Sequence, residues 1–472
     1  MRPPTQIVPE GMGPYARRNF RLEFAAAFFL PFLLAPAEGA IAGSIARVWF
    51  EGNLLRPLLP IATADPYASM VFDAIDLRLS TPILNFAVAI ITAAPAFANV
   101  LNFVWVRLSH GSHKIRFIIG LQTAMMLTIC AIAALPRSLF GLVGLLVLIA
   151  FARFLWSGNT TLRSTVWGRN YPREVRGRAT GRFMMVNVTL IALLGWMLGT
   201  FMEWNPSIFR VLLPVGGLLG AVGIVLWSRI RVRGHRGLRR RERQQTDRPS
   251  FNPVQMVHIL REDRRFGFYM GCMFLLGLGN LMIMPIFVIV LREQFGFSYK
   301  GNIQFASSIP LICMLATIPF WARFLERTHI IGYRAVHAWF FIAATLAFLI
   351  AGVSRTEWML WVASILQGTA FGGGVLAWTL GHLDFAPPDK ASQYMGIHVT
   401  LTGVRGCIAP FIGVGLYEVL KTWDLGPWVF VACLAINTMG AIGFVIMARR
   451  EGPGMISTHK GVQPQRVEGG RL

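Results

Sequence analysis

Glu38, Arg153 and Arg405 are ionisable side chains that lie deep inside long apolar segments of this sequence. Each lies near the middle of a segment long enough to cross a bilayer, which takes about 20 residues. A charged group at that depth costs roughly 2.5 to 3.5 kcal/mol on insertion scales, so such residues usually serve function. Asn280, in another apolar segment, has an amide that can hydrogen-bond a solute. Substrate binding or proton coupling is therefore predicted at these four residues.

Glu38 is the predicted coupling acid. Pro31, Pro36 and Gly39 surround it and loosen the helix, which is tolerated at membrane depth where the backbone faces protein or a watery cavity. The alternative is a structural ion pair that holds this segment to a neighbouring helix.

Arg153 and Arg405 share the predicted depth of Glu38. Glu38 and Arg153 differ in depth by only about 6 Å, at 1.5 Å per residue, so a direct pair is expected. Two central cations against one anion leave a positive balance, which suits an anionic group of the substrate held by a guanidinium fork. A structural role for Arg405, on backbone carbonyls or on the tenth helix, fits equally well.

Other polar motifs predict no further chemistry. His382 and Asp384 have side chains that can relay protons, but capping or interfacial pairing is the stronger interpretation. The pair His110 and His113 lies in a basic loop, so no metal site is expected there. A phosphate-binding Gly-Lys-Ser/Thr sequence is absent, which argues against ATP as the energy source. The sequence thus predicts no catalytic residue, no metal and no cofactor.

The elements that position these residues are apolar helices. The chain is 54% hydrophobic and only 14% charged, whereas soluble domains carry roughly 25% charged residues. Long apolar segments without the alternation of barrel strands must be helical in hydrocarbon. We predict an all-α polytopic membrane protein with twelve spans, at residues 22–46, 81–106, 115–135, 139–162, 181–203, 208–229, 267–291, 302–325, 334–353, 358–382, 394–418 and 426–447.

An arginine cluster near the middle of the chain divides these spans into two halves. The predicted parts are an N-terminal tail (1–21), a first six-helix bundle (22–229), a basic linker (230–266), a second six-helix bundle (267–448) and a C-terminal tail (449–472). Basic residues concentrate on the side that the tails and linker share, so both termini are predicted to be cytoplasmic. The linker is expected to be a solvated tether that binds anionic lipid headgroups, at about 1 kcal/mol per basic residue. The net charge of +23 is explained by this sidedness, and no nucleic-acid partner is predicted.

The two halves repeat each other at one offset. Trp105 to Leu108 corresponds to Trp321 to Phe324. Pro172 and Gly181 correspond to Pro387 and Gly396, and the two offsets agree to within a single position. A parallel repeat of six spans relates the halves by an axis along the membrane normal and predicts a central cavity between them.

In this repeat and in its loops, over essentially its whole length, the chain resembles the major facilitator superfamily of secondary transporters. The family's signature between helices two and three runs Gly, three residues, Asp, two residues, Gly and a basic pair. The first copy here keeps Gly111 and Lys114 but has Val104 and Leu108 in place of the first Gly and the Asp. The second copy, after the eighth span, keeps more of this signature. The resemblance implies that these loops act in gating, through Arg107, Gly111, Lys114, Arg323, Glu326 and Arg327.

Glycines of the predicted tenth helix, Gly372 and Gly373 among them, give two alternatives. They permit close helix packing, and they permit bending during gating. We include Gly372 and Gly373 among the predicted gating residues.

Together, the residues and the resemblance predict a secondary active transporter of a small solute, for which an organic anion is a candidate. Alternating access, coupled to protons through Glu38, is the expected mechanism. The first alternative is a membrane sensor or assembly protein that no longer transports, which the degraded first signature allows. A weaker one is an intramembrane enzyme built on His382 and Asp384. The expected partners are the solute, protons and the lipid bilayer, and the expected state is a monomer in the plasma membrane, the inner membrane if the source is bacterial.

Overall fold

The computed structural model describes residues 8–50, 54, 83–84, 86–244, 254–297 and 304–452. Within these residues the chain forms helices and no β-strand, so the predicted all-α fold is confirmed. Parts of both predicted tails, most of the loop after the first span, and short stretches of the linker and of the second and eighth spans lie outside the described residues.

The first predicted span is broken rather than continuous. α1 (Pro14–Ala26) is followed by a turn and by α2 (Pro31–Leu34), which continues as the 3-10 turn Ala35–Ala37. α3 (Gly39–Phe50) begins after Glu38. The axes of the first two pieces differ by 42°. The predicted single span 22–46 is therefore corrected, and the physical reason is that prolines at 31 and 36 cannot donate backbone hydrogen bonds inside a helix.

The second predicted span is also bent. α4 (Phe86–Val100) and α5 (Phe103–Ser109) meet at an angle of 47°.

The rest of the first half consists of long helices. These are α6 (Lys114–Ile132), α7 (Leu139–Asn170), α8 (Arg173–Trp204) and α9 (Phe209–Ser228). α7 and α8 are each 32 residues long, more than the roughly 20 that hydrocarbon requires.

The linker contains two short helices, α10 (His235–Gln244) and α11 (Val254–Glu262). The prediction of a solvated tether is therefore wrong for α10, because one face of this helix is buried at Leu238 and Glu242.

The second half contains six long helices. They are α12 (Arg264–Glu293), α13 (Ile309–Arg327, preceded by a π-helical turn, Gln304–Ser308), α14 (Ile330–Ser354), α15 (Glu357–Leu380), α16 (Ala391–Lys421) and α17 (Val429–Glu451). Among the described residues, ten helices are long and apolar enough to cross a membrane, and twelve spans result if each bent pair counts as one. The protein is a multi-pass helical membrane protein.

The chain forms two compact units. Unit 1 comprises residues 1–172, 182–257 and 386–407, and unit 2 comprises 173–181, 258–385 and 408–472. The core of unit 1 includes Ile129, Leu145 and Trp227, all fully buried. That of unit 2 includes Ile286 and Phe430. The start of α8 thus packs within unit 2 and the start of α16 within unit 1, although the sequence places each in the opposite half.

The sequence repeat corresponds to a repeated hydrogen bond. In unit 1, the indole Nε1 of Trp105 on α5 donates to the carbonyl of Phe154 on α7, at 2.8 Å. In unit 2, Nε1 of Trp321 on α13 donates to the carbonyl of Thr369 on α15, at 2.9 Å. The two donors and the two acceptors are related by the offset of the sequence repeat, to within a single position. A buried indole N–H needs an acceptor, and in both halves this acceptor is a backbone carbonyl at the corresponding position of the repeat.

The second pair of corresponding positions in the sequence repeat, Gly181 and Gly396, makes a repeated close contact. A Cβ atom added at Gly181 of α8 would lie 3.1 Å from Ile318 Cγ2 on α13. One added at Gly396 of α16 would lie 2.4 Å from Val106 Cγ2 on α5. Each glycine therefore lets its helix approach a neighbouring helix that belongs to the other half of the sequence.

Candidate functional site

Glu38 and Arg153 form the predicted ion pair. Arg153 Nη1 on α7 lies 2.7 Å from Glu38 Oε1. The direct contact that was expected between these two residues is therefore present. The Glu38 side chain is 33% exposed and that of Arg153 14%, so this pair is only partly enclosed by protein.

The break in the first span positions Glu38. The residue has extended backbone angles, φ −69° and ψ 137°, after the 3-10 turn. Its carbonyl accepts the first hydrogen bond of α3, from the backbone N–H of Ala42 at 2.8 Å. The carboxylate consequently lies at the N-terminal end of α3, where a negative charge is favoured by the unpaired N–H groups and the helix dipole.

A second buried acid, Glu23 on α1, was not among the predicted residues. Its Oε1 accepts hydrogen bonds from Trp167 Nε1 at 2.5 Å and from Arg163 Nη2 at 3.2 Å. Its Oε2 accepts one from Tyr171 Oη at 2.8 Å. The Glu23 side chain is 1% exposed. This acid was missed because it lies at the edge of the predicted span, whereas α1 begins at Pro14 and places it well inside a helix.

Aromatic rings enclose the Glu23 pair. The guanidinium of Arg163 lies over the rings of Trp167 and Trp227, at 4.6 and 5.3 Å from their centroids. Burial, and then the charge of Glu23, hold the pKa of Tyr171 well above its usual value. The phenol is therefore a permanent donor. A carboxylate with three donors, one of which is a cation under aromatic rings, is a fixed structural contact.

Arg405 lies on α16 in the part that belongs to unit 1, the unit that also contains Glu38 and Arg153. Its side chain is buried, and Nη2 donates to Thr402 Oγ1 one turn earlier, at 3.3 Å. Arg405 was predicted to lie in the second bundle. Unit 1 contains all three predicted central charges.

Asn280 on α12 is bound by another amide. Gln367 Nε2 on α15 donates to Asn280 Oδ1 at 2.9 Å. A similar contact exists elsewhere in unit 2, where Asn437 Nδ2 donates to Thr345 Oγ1 at 3.1 Å. Neutral amide and hydroxyl pairs thus join the helices of unit 2.

The predicted gating residues of the first half cluster at the turn between α5 and α6. Lys114 Nζ lies 2.9 Å from Oε2 of Glu242, which belongs to linker helix α10. Both side chains are 1% exposed. Gly111 has φ +67°, a conformation that favours glycine, and its N–H also donates to Glu242. Arg107 is partly buried. Glu242 was missed because it stands within a series of arginines.

In the second half, Glu326 holds the start of α8. Its two carboxylate oxygens accept from the backbone N–H of Arg178 at 2.7 Å and from Arg178 Nε at 2.6 Å. Arg323 and Arg327 are exposed. Glu326 therefore makes a defined, largely buried contact.

Asp384 caps a helix, as expected. Its Oδ2 accepts from the backbone N–H of Ile330, the first residue of α14, at 2.9 Å, and from Arg173 Nη2 at 3.0 Å. His382 is 2% exposed, and its ring nitrogens form no hydrogen bond within the described residues. The donors to Asp384 Oδ2 are thus Ile330 and Arg173 and do not include His382.

Gly372 and Gly373 lie at close helix contacts in the uninterrupted helix α15. A Cβ at Gly372 would lie 2.4 Å from Thr317 Oγ1 on α13, and one at Gly373 would lie 2.3 Å from His337 Cδ2 on α14. This arrangement favours packing over bending in the described conformation. Among the described residues, no group of three or more His, Cys, Asp or Glu side chains is placed to hold a metal ion.

Comparison with solved structures gives transporters of one fold. A variant of the Escherichia coli fucose:proton symporter FucP aligns with a TM-score of 0.60 and 10% identity, over 91% of this chain and 99% of that one. The proton:xylose symporter XylE also gives 0.60 and 10%, over 91% and 94%. The human organic anion transporter MFSD10 gives 0.57 and 14%, over 92% and 100%. At these identities the likeness shows the fold alone.

Sequence comparison identifies the family. No curated protein sequence matches this chain. The profile of the Major Facilitator Superfamily, however, matches residues 41–410 and 269–467, which together cover most of the chain. With twelve predicted spans, an internal repeat and the fold of known transporters, this chain belongs to the Major Facilitator Superfamily.

Proposed function

We propose that this protein is a proton-coupled secondary transporter of a small solute, with Glu38 as the coupling acid. The observation that carries the proposal is the Glu38–Arg153 pair at a break between helices. An acid at such a break, partly exposed and bound to a single cation, can exchange a proton without dismantling the surrounding helices. The buried Glu23, with its three donors, is much less suited to that role.

Protonation of Glu38 would change what Arg153 binds. The neutral acid loses its opposite charge and with it the Coulombic attraction for the guanidinium, so the contact with Arg153 becomes weaker. Arg153 is then available to an anionic group of the solute. The proton and an organic anion would enter the site together, and loss of the proton would let Glu38 compete for Arg153 again. Arg405 adds a second positive charge within the same unit.

The proposed cycle is alternating access. The contacts that would separate when the two halves of the sequence rock are those that each half makes with the start of the other's fifth helix. They include Gly181 against Ile318, Gly396 against Val106, and the Arg178–Glu326 ion pair. Gating by the predicted loop residues is part of this proposal.

The proposed location is the plasma membrane, with both termini and the linker cytoplasmic and the linker arginines near anionic headgroups. The protein would act as a monomer and without catalysis. Two of the structural neighbours are proton symporters of sugars, and a third transports organic anions. These neighbours support proton coupling and an organic solute.

The test is flux in proteoliposomes with an imposed pH gradient. The panel would contain L-fucose, D-xylose and a set of mono- and dicarboxylates, measured by electrophysiology on solid-supported membranes and by radiolabel uptake. Glu38→Gln should lose gradient-driven accumulation and keep counterflow, because exchange can proceed with a permanently neutral side chain. Glu357→Gln, at an exposed acid in the first turn of α15, is the matched control.

Two results would overturn this function. Normal gradient-driven uptake by Glu38→Gln would remove Glu38 from the coupling mechanism. Solute-induced conformational change without flux in the wild type would favour the sensor or assembly protein instead.

A further inference from the structure

We propose that Glu242 on linker helix α10 is a positioning residue of the first-half gate: its buried carboxylate docks α10 onto the α5–α6 turn and fixes that turn's backbone. The gating role of the turn rests on the proposed transport function. The docking itself does not, because it is a property of unit 1 that can be measured without a solute.

The carboxylate of Glu242 receives two N–H groups from the turn. Its Oε2 accepts from the backbone N–H of Gly111 at 2.7 Å and from Lys114 Nζ at 2.9 Å. Lys114 Nζ also donates to the carbonyl of Ser109 at 2.8 Å. The acid, the lysine and both ends of the turn therefore form one hydrogen-bonded unit. With Glu242 and Lys114 almost completely buried, removal of either would leave the other as an uncompensated buried charge.

The remaining contacts of α10 involve the same backbone. The carbonyl of Gly111 accepts from Arg239 Nε at 3.2 Å and from Arg243 Nε at 3.3 Å. His110 Nε2 lies 2.6 Å from the carbonyl of Glu242. Both the N–H and the C=O of Gly111 are thus bound by α10.

Helix α10 has little reason to be helical except through docking. It is only 10 residues long, and isolated helices shorter than about 12 to 15 residues are marginal in water. Five of its residues are arginines, and Glu242 is its only acid. That acid faces the protein, whereas Arg236, Arg240 and Arg241 are exposed. The carboxylate of Glu242 therefore lies where it can accept hydrogen bonds from the α5–α6 turn.

The first half needs an acid from outside because its own turn has none. Residues 107–114 contain no Asp or Glu, and Leu108 is 48% exposed. The corresponding turn of the second half is bound by an acid from its own half, since Asp384 Oδ2 accepts from the Ile330 N–H at 2.9 Å. The linker helix α10 therefore supplies the first-half turn with a carboxylate that accepts a backbone N–H, as Asp384 does for the second-half turn.

The experiment is hydrogen–deuterium exchange on the full-length protein in detergent, followed by mass spectrometry. In Glu242→Gln, peptides covering the turn and α10 should exchange at least about ten times faster than in wild type, because both lose their shared contact. Glu242→Asp keeps the charge with shorter reach and should give an intermediate rate. Glu262→Gln is the matched control, because this linker acid is 56% exposed and pairs only with His258 one turn earlier among the described residues.

A double-variant comparison tests the pairing. Lys114→Met and Glu242→Gln should each accelerate exchange, and the two together should accelerate it no more than the larger single effect. In proteoliposomes, for the first panel solute that the wild type transports, Glu242→Gln should change the turnover rate at least threefold and leave the half-saturating concentration within twofold.

The outcomes separate the two proposals. Absence of wild-type flux with faster exchange in Glu242→Gln would contradict the transport function and leave the docking intact. Unchanged exchange in Glu242→Gln, equal acceleration in Glu262→Gln, or additive effects of Lys114→Met and Glu242→Gln would each overturn the docking. A changed half-saturating concentration with unchanged turnover would overturn the positioning role.

Discussion

Two acids of the first half, Glu23 and Glu38, should respond very differently to the same substitution. Glu23→Gln removes the anion from a fully enclosed network, whereas Glu38→Gln removes it from a pair at a helix break. We expect the first change to destabilise the protein severely and the second to leave it almost as stable as wild type. The contrast separates a structural acid from a functional one by a measurement that needs no substrate.

The magnitudes follow from burial. Glu23 is 1% exposed and Arg163 10%, and breaking one side of a buried pair costs about 3–5 kcal/mol. A glutamine at 23 still accepts one hydrogen bond but leaves the Arg163 guanidinium without its counter-charge. The proposed site is open to water and Glu38 is 33% exposed, so its pair with Arg153 should contribute only roughly 0–1 kcal/mol. The difference between the two variants should be at least about 2 kcal/mol.

The assay is reversible unfolding in mixed micelles with increasing sodium dodecyl sulfate, followed by tryptophan fluorescence. Tyr171→Phe gives an intermediate point, because it removes only the hydroxyl that donates to Glu23 Oε2 at 2.8 Å. That loss should cost about 1–3 kcal/mol. Equal losses of stability in Glu23→Gln and Glu38→Gln, or a loss below about 1 kcal/mol in Glu23→Gln, would refute the reasoning.

Four further predictions concern other parts of the molecule. Arg405→Lys should keep the unfolding free energy within about 1 kcal/mol of wild type and weaken carboxylate binding, since lysine keeps the charge and loses the planar fork; a large loss of stability without solute would mark Arg405 as structural. Gly373→Ala should lower the unfolding free energy by about 1–3 kcal/mol through overpacking, because its Cβ would lie 2.3 Å from His337 Cδ2. Gly199→Ala is the control: an added Cβ there has nothing within 4 Å, so the change should be neutral or stabilising by up to about 1 kcal/mol. Unchanged stability with lost flux in Gly373→Ala would indicate a hinge. Burial lowers the pKa values of His113 and His235 below 6.5, and their rings lie 4.1 Å apart. The unfolded state therefore binds more protons than the folded state, and stability should fall as pH drops through about 6.5. The double variant His113→Asn with His235→Asn should flatten that pH dependence in unfolding titrations at pH 5.5 and 7.5. Tags placed after Leu472 and between Arg236 and Arg243 should both report the cytoplasm, and labelling of either from outside intact cells would contradict the predicted sidedness.

Hydropathy predicted the long helices well because burial in lipid leaves the backbone no alternative to helix. It failed on the first span, where 22–46 was predicted as one segment. The apolar composition continues through residues 27–37, so hydropathy does not register the break. Pro31 and Pro36 were expected only to loosen a helix, while in the structure the chain divides there into α1, α2 and α3.

The candidate site was predictable where depth alone decides contact. Glu38 and Arg153 were matched by their positions in two apolar segments, and the 2.7 Å contact is present. Glu23 and Glu242 were not predictable in the same way. Glu23 lies near arginines at a segment edge, and Glu242 lies among arginines in a linker, so both look like solvated charges. Only the three-dimensional packing of α1 on α7 and of α10 on the α5–α6 turn buries them.

The repeated tryptophan hydrogen bond belongs to a duplicated scaffold, but the charges beside it are not duplicated. By the offset that relates Phe154 to Thr369, the counterparts of Arg153 and Arg163 are Gly368 and Trp378. A paired Glu38 and Arg153 carry no net charge, so their displacement would feel little of the membrane potential. With an uncharged solute, protonation of Glu38 leaves Arg153 as an unbalanced charge, and moving it across the whole field is worth about 2.3 kcal/mol per 100 mV. A monoanionic solute bound to Arg153 would cancel that charge, so the proposed cycle would respond to the membrane potential when the solute is neutral and would not when it is a monoanion.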